Sequence, residues 1–159
     1  MLIGILSDTH DELARTRRAV NLLRDAGATA LIHCGDFVGA PILRASCGLP
    51  LWFVFGNNDS AGELEIAAAE TGATCLGWSG IVEFDGKRIA VTHGHRTGDI
   101  RKLLAAEPDY LLTGHSHIAD DSMAGTVRRI NPGALHRAFE FTVALLDLES
   151  GESKFLPVA

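Results

Sequence analysis

Five short motifs in the sequence carry side chains that bind divalent metal ions. They are Asp8-Thr9-His10, Gly35-Asp36, Gly56-Asn57-Asn58-Asp59, His93-Gly94-His95 and Gly114-His115-Ser116-His117. A mixture of carboxylate, amide and imidazole groups suits Mn, Fe or Zn better than Ca or Mg. The chemistry that such a mixture can support is metal-assisted hydrolysis, in which the ions polarise an ester and activate a water molecule.

The candidate ligands are too numerous for a single ion. They are Asp8, His10, Asp36, Asn57, His93, His115 and His117. Two ions about 3.5 to 4 Å apart that share one carboxylate would use all of them. We therefore predict a dinuclear centre, with Asp36 as the bridging ligand.

Each motif taken alone has a simpler interpretation. Asp-x-His is typical of a turn or a helix cap, Gly-Asn-Asn-Asp of a turn with a left-handed asparagine, and His-x-His of a hydrogen-bonded pair. However, six of the seven histidines lie in or beside these motifs. Random placement of histidine gives no reason for this clustering, so the joint pattern favours the metal site.

The motifs follow short apolar runs that are typical of buried strands. Met1 to Leu6, Thr29 to His33, Leu51 to Phe55 and Tyr110 to Leu112 each lead directly into one of them. In open α/β sheets, ligands collect at the carboxyl ends of the strands. The motifs are therefore expected to meet in one site.

The remaining segments define the class of fold. Helical spacing is seen in 12–26, 62–70 and 100–106, while 81–84 and 88–92 flank the hairpin dipeptide Asp85-Gly86, and later strands are expected at 126–130, 139–146 and 153–156. Helices alternate with strands in the first half, and hairpins follow in the second half. This order predicts an α/β fold of two sheets packed face to face with helices outside.

Composition sets the remaining expectations. The chain has 159 residues, a net charge of -6, 47% hydrophobic residues and no run of lysine or arginine, so we expect one domain over 1–159 and no polymeric nucleic-acid ligand. No apolar stretch is long enough for a membrane span, and the N-terminus lacks the pattern of a signal peptide. We expect no membrane partner, a cytoplasmic location and three reduced cysteines, Cys34, Cys47 and Cys75. A homodimer is left open.

The order of the motifs resembles that of the calcineurin-like metallophosphoesterase superfamily, in particular its small bacterial and archaeal phosphodiesterases. The resemblance extends to Ser7-Asp8-Thr9-His10, His33-Cys34-Gly35-Asp36 and Asn131-Pro132-Gly133. It implies a four-layer α/β/β/α sandwich of two mixed sheets flanked by helices. It also implies two divalent transition-metal ions, for which Mn is the first choice and Ni, Fe or Zn are alternatives.

The resemblance divides the ligands between the two ions. It places Asp8, His10, Asp36 and His117 on one ion, and Asp36, Asn57, His93 and His115 on the other. The expected reaction is hydrolysis of a small phosphate ester, in which a hydroxide bridging the ions attacks phosphorus in line. A phosphodiesterase is expected ahead of a phosphomonoesterase or nucleotide phosphatase.

The candidate catalytic positions are Asp36, His95 and Asn58. Many members of the superfamily have histidine where this chain has Asn58, and that histidine is the proposed general acid, a role that asparagine cannot take. His95 is expected either to replace it or only to hydrogen-bond and shape the pocket. Asp59 is the nearest carboxylate for holding the second nitrogen of a ligating imidazole.

Two other classes of protein are considered. A eukaryotic trafficking subunit, the scaffold of the retromer complex, is similar in sequence and works as an interaction platform. The discriminating feature is ligand integrity, because a scaffold could lose ligands without penalty, whereas all seven positions here are competent. A lactamase-like dinuclear hydrolase would need a His-x-His-x-Asp-His run, which the sequence lacks.

The bridging role of Asp36 generates the first testable prediction. Asp36→Asn should abolish metal-dependent phosphoesterase activity while leaving the fold largely intact, because the bridge is lost but the side-chain volume is kept. Turnover and circular dichroism of the purified variant measure the two effects. His136, which lies outside the motifs, is expected to tolerate glutamine, and retained turnover in Asp36→Asn would refute the assigned site.

Overall fold

The computed structural model describes residues 1–159, which form eleven strands and four helices. The strands are β1 Leu2–Leu6, β2 Ala30–His33, β3 Leu51–Phe53, β4 Thr74–Cys75, β5 Ser79–Phe84, β6 Lys87–Thr92, β7 Tyr110–Leu112, β8 Asp120–Ala124, β9 Val127–Asn131, β10 Thr142–Asp147 and β11 Ser153–Pro157. The helices are α1 Leu13–Asp25, α2 Ala40–Ala45, α3 Ala61–Thr71 and α4 Thr97–Ala105. None of the helices combines the length and the apolar character of a membrane span.

The strands form two mixed sheets. One sheet has the order β11-β10-β1-β2-β3-β4 and the other the order β5-β6-β7-β9-β8. Alternate residues of each strand face opposite sides, so Ile5 lies between the sheets while Leu6 packs beneath the helices. Helix α1 buries Thr16, Ala19, Val20 and Leu23, which recur at the spacing of one helical face.

Three apolar clusters define four layers. The largest lies between the first sheet and helices α1 to α3, and includes Leu23, Leu43 and Leu64. The second lies between the two sheets, and the third lies under α4, where Leu103 contacts the second sheet. The predicted four-layer α/β/β/α sandwich is therefore confirmed.

The parallel pairs in the two sheets bring the polar motifs together. In the first sheet β1, β2 and β3 are parallel neighbours, and in the second β6, β7 and β9 are parallel neighbours. The carboxyl ends of parallel neighbours share one edge of a sheet. The motifs that follow β1, β2, β3, β6 and β7 consequently lie at two edges, and those edges meet.

Most of the predicted elements are present, with two kinds of difference. The third strand ends at Phe53 rather than Phe55, and the strand expected over 139–146 begins only at Thr142. Helix α2, strand β4 and strand β8 were not predicted. Helix α2 has only six residues, β4 has two, and β8 is an almost wholly exposed edge strand without an apolar run.

The approach of Gly56 to Asp36 generates a prediction about stability. A methyl group at Gly56 would collide with Oδ1 and the backbone nitrogen of Asp36, so Gly56→Ala should lower the free energy of unfolding by about 1–3 kcal/mol. Gly62 is the matched control, because a methyl group there meets no atom within 4 Å and alanine favours the helix by about 0.5–1 kcal/mol. Urea denaturation compares the two variants, and equal effects would contradict this packing.

Candidate functional site

The two sheet edges enclose an open cleft of about 370 Å³. No apolar side chain lines this cleft, whose walls are His10, Asp36, Asn57, Asn58, His115, His117, His136 and Arg137. Asp8 and His93 lie beneath it and are fully buried. The structure therefore brings all seven predicted ligands to one place.

The ligand atoms form two close clusters. One contains Asp8, His10 and His117, and the other contains Asp8, Asp36 and His93, with the ligand atoms of each cluster within 4.8 Å of one another. Asn57 lines the cleft beside them. His115 belongs to neither close cluster, although its ring centroid lies 5.1 Å from that of His93.

Three buried atoms in these clusters have no hydrogen-bond partner. They are Oδ1 of Asp8, Nε2 of His10 and Nε2 of His93. Leaving a buried donor or acceptor unsatisfied costs about 1–3 kcal/mol each, and more for a charged group. Atoms of this kind, directed at one another, are suited to hold metal ions, so the residues fit the dinuclear centre that the sequence predicts.

Asp36 lies between the two groups of imidazoles. Its Oδ2 is 3.5 Å from Nε2 of His10 and 3.4 Å from Nε2 of His93. Burial alone would raise the pKa of Asp36, but the nearby imidazole of His93 and the hydrogen bonds from the backbone and side-chain nitrogens of Asn58 hold this pKa well below its usual range. These contacts favour the ionised form of Asp36.

One carboxylate oxygen of Asp8 accepts hydrogen bonds, and the other has no hydrogen-bond partner. Its Oδ2 accepts hydrogen bonds from Ser7 Oγ at 2.6 Å and from the backbone N–H of His115 at 3.0 Å. Its Oδ1 lies 3.1 Å from Nε2 of His117 and 3.8 Å from Nε2 of His93. The bond to His115 also joins the first sheet to the second.

The imidazole rings are held by backbone carbonyls rather than by Asp59. His93 donates through Nδ1 to the carbonyl of Cys34 at 2.7 Å, and Nδ1 of His117 lies 3.3 Å from the carbonyl of Arg137. The expectation that Asp59 holds a histidine is wrong. Its Oδ2 accepts from the backbone N–H groups of Asp36 and Gly56, and its Oδ1 from that of Val38.

Asp59 therefore shapes the loop that presents Asp36. Burial raises the pKa of Asp59 despite these three bonds. The loop needs such a clamp because the backbone of Asp36 is left-handed, with φ 63°. A chain conformation that L-residues rarely adopt is thus stabilised by a nearly buried carboxylate from the next loop.

Left-handed backbone is a shared property of the ligands. Five of them have positive φ, namely Asp8 at 51°, His10 at 42°, Asp36 at 63°, His115 at 72° and His117 at 61°. Each such residue costs roughly 1–2 kcal/mol relative to ordinary backbone. This strain gathers at the cleft, which is where functional sites commonly hold it.

Asn131 supports the loop that carries His115 and His117. Its side-chain nitrogen donates to the carbonyl of Gly114 at 2.9 Å and to Ser116 Oγ at 3.0 Å, while its oxygen accepts from the N–H of Gly133. The motif Asn131-Pro132-Gly133 was noted in the sequence without a role. The structure shows it to be a brace beneath the ligand loop.

Not every histidine beside a motif belongs to the site. His33 is buried and stacks on Phe37 with ring centroids 3.6 Å apart. Burial lowers the pKa of its imidazole well below the usual value. The Gly35 N–H donates to its Nδ1, so its Nε2 donates to Thr9 Oγ1, and the ring has a structural role.

His95 lies beside His93 and His115 but does not line the cleft. Its ring centroid is 5.4 Å from that of His93, and its buried Nδ1 has no hydrogen-bond partner. Burial and the neighbouring His93, His115 and Arg96 lower its pKa. A neutral imidazole of this kind favours the pocket-shaping alternative over proton donation.

His136 and Arg137 line the cleft, and the motifs did not reveal them. His136 stacks on His10 with ring centroids 4.4 Å apart, and its Nδ1 lies 3.3 Å from Oε1 of Glu12. Arg15 donates to the carbonyl of Leu135 and so ties the same segment to α1.

His136 was expected to tolerate replacement by glutamine because it lies outside the motifs. Since His136 stacks on the candidate ligand His10, the structure no longer supports that expectation. The only signal in the sequence near this segment was the preceding motif Asn131-Pro132-Gly133.

The chain belongs to the calcineurin-like phosphoesterase superfamily, whose domain model matches residues 1–151. Phosphodiesterase MJ0936 of Methanocaldococcus jannaschii is 29% identical to it over 163 positions, which cover 96% of each chain. The family named from the motifs is thereby confirmed, and membership of it supports a hydrolase of phosphate esters.

Solved structures agree with the fold. The structure of an archaeal phosphodiesterase has a TM-score of 0.89 to this chain at 29% identity and covers 99% of each chain. Vps29 of Entamoeba histolytica in complex with zinc has a TM-score of 0.64 at 18% identity, over 99% of this chain and 98% of its own. The latter likeness concerns the fold alone.

The three hydrogen bonds that Asp59 accepts from backbone N–H groups lead to a prediction about stability and metal binding. Asp59→Asn retains the size of the side chain but replaces one acceptor oxygen by a donor that opposes a backbone N–H. The free energy of unfolding should fall by about 2 kcal/mol, and metal affinity should fall with it because Asp36 loses its support. Thermal unfolding and metal titration measure both effects.

Asp25→Asn is the matched control for this experiment. The carboxylate of Asp25 is 71% exposed and meets only Arg24, so its replacement should change stability by less than about 0.5 kcal/mol. If Asp59→Asn were as harmless as this control, the clamp would have no energetic role.

Proposed function

We propose that the protein is a dinuclear-metal-dependent phosphodiesterase. The observation that carries the proposal is that buried, unsatisfied atoms of Asp8, His10 and His93 lie in two close clusters that share Asp8. When bound, two divalent cations supply Lewis-acid polarisation of a phosphate ester and acidify the attacking water. Mn remains the first choice, and the location proposed is the cytoplasm, where free cysteines such as Cys34 stay reduced.

Asp36 is proposed as the shared ligand. Its Oδ2 is nearly equidistant from His10 and His93, which the superfamily pattern assigns to different ions. Asp8 also reaches both sides, but its distances to His117 and His93 differ by more, at 3.1 and 3.8 Å. The proposed division keeps Asn57 and His115 on the ion that His93 holds.

Other residues of the cleft act on the substrate. Arg137 and His136 line it together with Asn57 and Asn58, and they offer donors to phosphoryl oxygens. Asn58 donates to Asp36 and cannot protonate a leaving group. General acid catalysis is typically worth a factor of about 10² to 10⁴, so without it the substrates turned over fastest should release a stable anion.

A phosphodiester is proposed ahead of a monoester. A diester brings one negative charge to the cleft, whereas a monoester brings up to two, and the cleft lining has only one arginine besides the candidate ligands. The relative named a phosphodiesterase supports the same choice. A nucleotide phosphatase is the second candidate.

The alternative of a catalytically inert scaffold finds less support. A protein that needed the fold but no ions would gain stability by replacing Asp8 or His93 with apolar side chains, because unsatisfied buried polar atoms are costly. Both residues are fully buried, and both keep ligand chemistry. The intact set therefore favours metal-dependent catalysis.

Hydrolysis of two model esters tests this function. Chelator-stripped protein is given Mn, Ni, Zn or Mg singly, and the hydrolysis of bis-p-nitrophenyl phosphate is compared with that of p-nitrophenyl phosphate. We expect metal-dependent turnover of both esters, because p-nitrophenolate leaves without a proton donor. The kcat/KM for the diester should be at least about tenfold higher, because the cleft lining has only one arginine to balance the second charge of a monoester. A preference for the monoester would indicate a phosphatase, and no turnover with any metal would support the scaffold.

A further inference from the structure

Two large apolar side chains lie exposed beside the metal cleft. Phe139 is fully exposed and Ile118 is 67% exposed. They face a second cavity of about 220 Å³, whose lining residues are His117, Ile118, Ala119, Phe139, Glu140 and Thr142. Large apolar side chains with this exposure around a cavity commonly mark a place where a ligand or a partner binds.

This cavity adjoins the metal cleft. His117 lines both, with Nε2 3.1 Å from Asp8 Oδ1 on the cleft side. Its Nδ1 lies 3.3 Å from the carbonyl of Arg137, so the two segments that form the cavity are joined at this boundary. A single imidazole therefore separates the candidate metal site from the apolar side chains.

The two cavities differ in chemistry. The metal cleft offers no apolar side chain, so an apolar substituent of a bound phosphate ester would gain no contact within it. The neighbouring cavity, which shares His117 with the cleft, offers Ile118, Ala119 and Phe139. Contact with such side chains contributes about 25 cal/mol for each Å² of apolar surface removed from water.

Charge narrows the class of substituent. Glu140 lines the cavity and is exposed, and no lysine or arginine lines it. A carboxylate at this position repels a second phosphate or carboxylate on the substrate. The substituent that fits therefore carries no negative charge.

From this adjacency and from the apolar lining, we propose that the cavity beside His117, with Phe139 and Ile118 as its apolar walls, binds an apolar aromatic or alkyl arm of the phosphodiester substrate. The proposal rests on the proposed function, since the phosphate of the same molecule is held in the metal cleft. It selects an amphipathic ester over a polyanionic one. Phe139 and Ile118 are then residues that determine specificity and take no part in bond breaking.

Two phosphonates that the enzyme cannot hydrolyse test the proposal. Phenylphosphonate and methylphosphonate present the same anion with and without an apolar ring, and their binding to the Mn-loaded protein is measured by calorimetry. We expect phenylphosphonate to bind about tenfold more tightly, which corresponds to about 50 Å² of buried apolar surface. In Phe139→Ser/Ile118→Ser the preference should fall to about twofold, with methylphosphonate binding unchanged.

Ile66→Ser is the matched control. Ile66 is 64% exposed on α3, close to the exposure of Ile118, and lies outside both cavities. This variant should keep the full preference for phenylphosphonate. A double variant that retained the preference, or lost affinity for both phosphonates equally, would overturn the assignment.

The competing occupant is a second copy of this chain. If sedimentation showed a dimer that the double variant dissociates while the phosphonate preference stays, the apolar side chains would form an interface and the proposal would be wrong. Because binding is measured without turnover, this experiment tests the apolar subsite independently of the proposed phosphodiesterase activity. A phosphonate preference in a protein that hydrolyses no ester would refute the proposed function and leave the subsite standing, whereas absence of binding by either phosphonate would overturn both.

Discussion

Two carboxylates, Asp8 and Asp36, are buried at the ends of adjacent parallel strands, and the rest of the site is arranged around them. An ionised carboxylate removed from water costs several kcal/mol unless hydrogen bonds or cations compensate it. Here the compensation comes from the hydroxyl of Ser7, from the backbone N–H groups of His115 and Asn58, and from the side-chain amide of Asn58. The remaining free atoms are the ones that suit metal ions.

The need to stabilise the buried carboxylates with backbone N–H groups explains why glycines precede the ligands. A methyl group at Gly114 would meet Ser7 Oγ and lie 2.6 Å from Asp8 Oδ2, and one at Gly56 would lie 2.8 Å from Cγ of Asp36. The N–H groups that stabilise the carboxylates belong to His115, directly after Gly114, and to Asn58, two residues after Gly56, so the chain must approach each anion closely. The glycine in the motif is thus as much a part of the site as the ligand that follows it.

The strained backbone has the same origin. A ligand at the end of a strand must turn its side chain back towards the common edge, and left-handed φ at Asp8, Asp36 and His117 achieves this. Asp59 and Asn131 hold two of the loops by several hydrogen bonds each. The stability of the four-layer core and of these bonds therefore maintains a local conformation that the ligand residues would not adopt alone.

The sequence by itself determined the fold class, the seven candidate ligands and the family, because strand periodicity and short-range motifs are local properties of the chain. It did not reveal helix α2 or strand β8, whose residues carry no strong periodic signal, nor the partners of Asp59, which are backbone groups of another loop. Only the tertiary structure placed His136 and Arg137 in the cleft and Phe139 beside it, although they lie far along the chain from Asp8 and Asp36. Contacts between distant segments depend on how the two sheets pack, and no local pattern in the sequence encodes that packing.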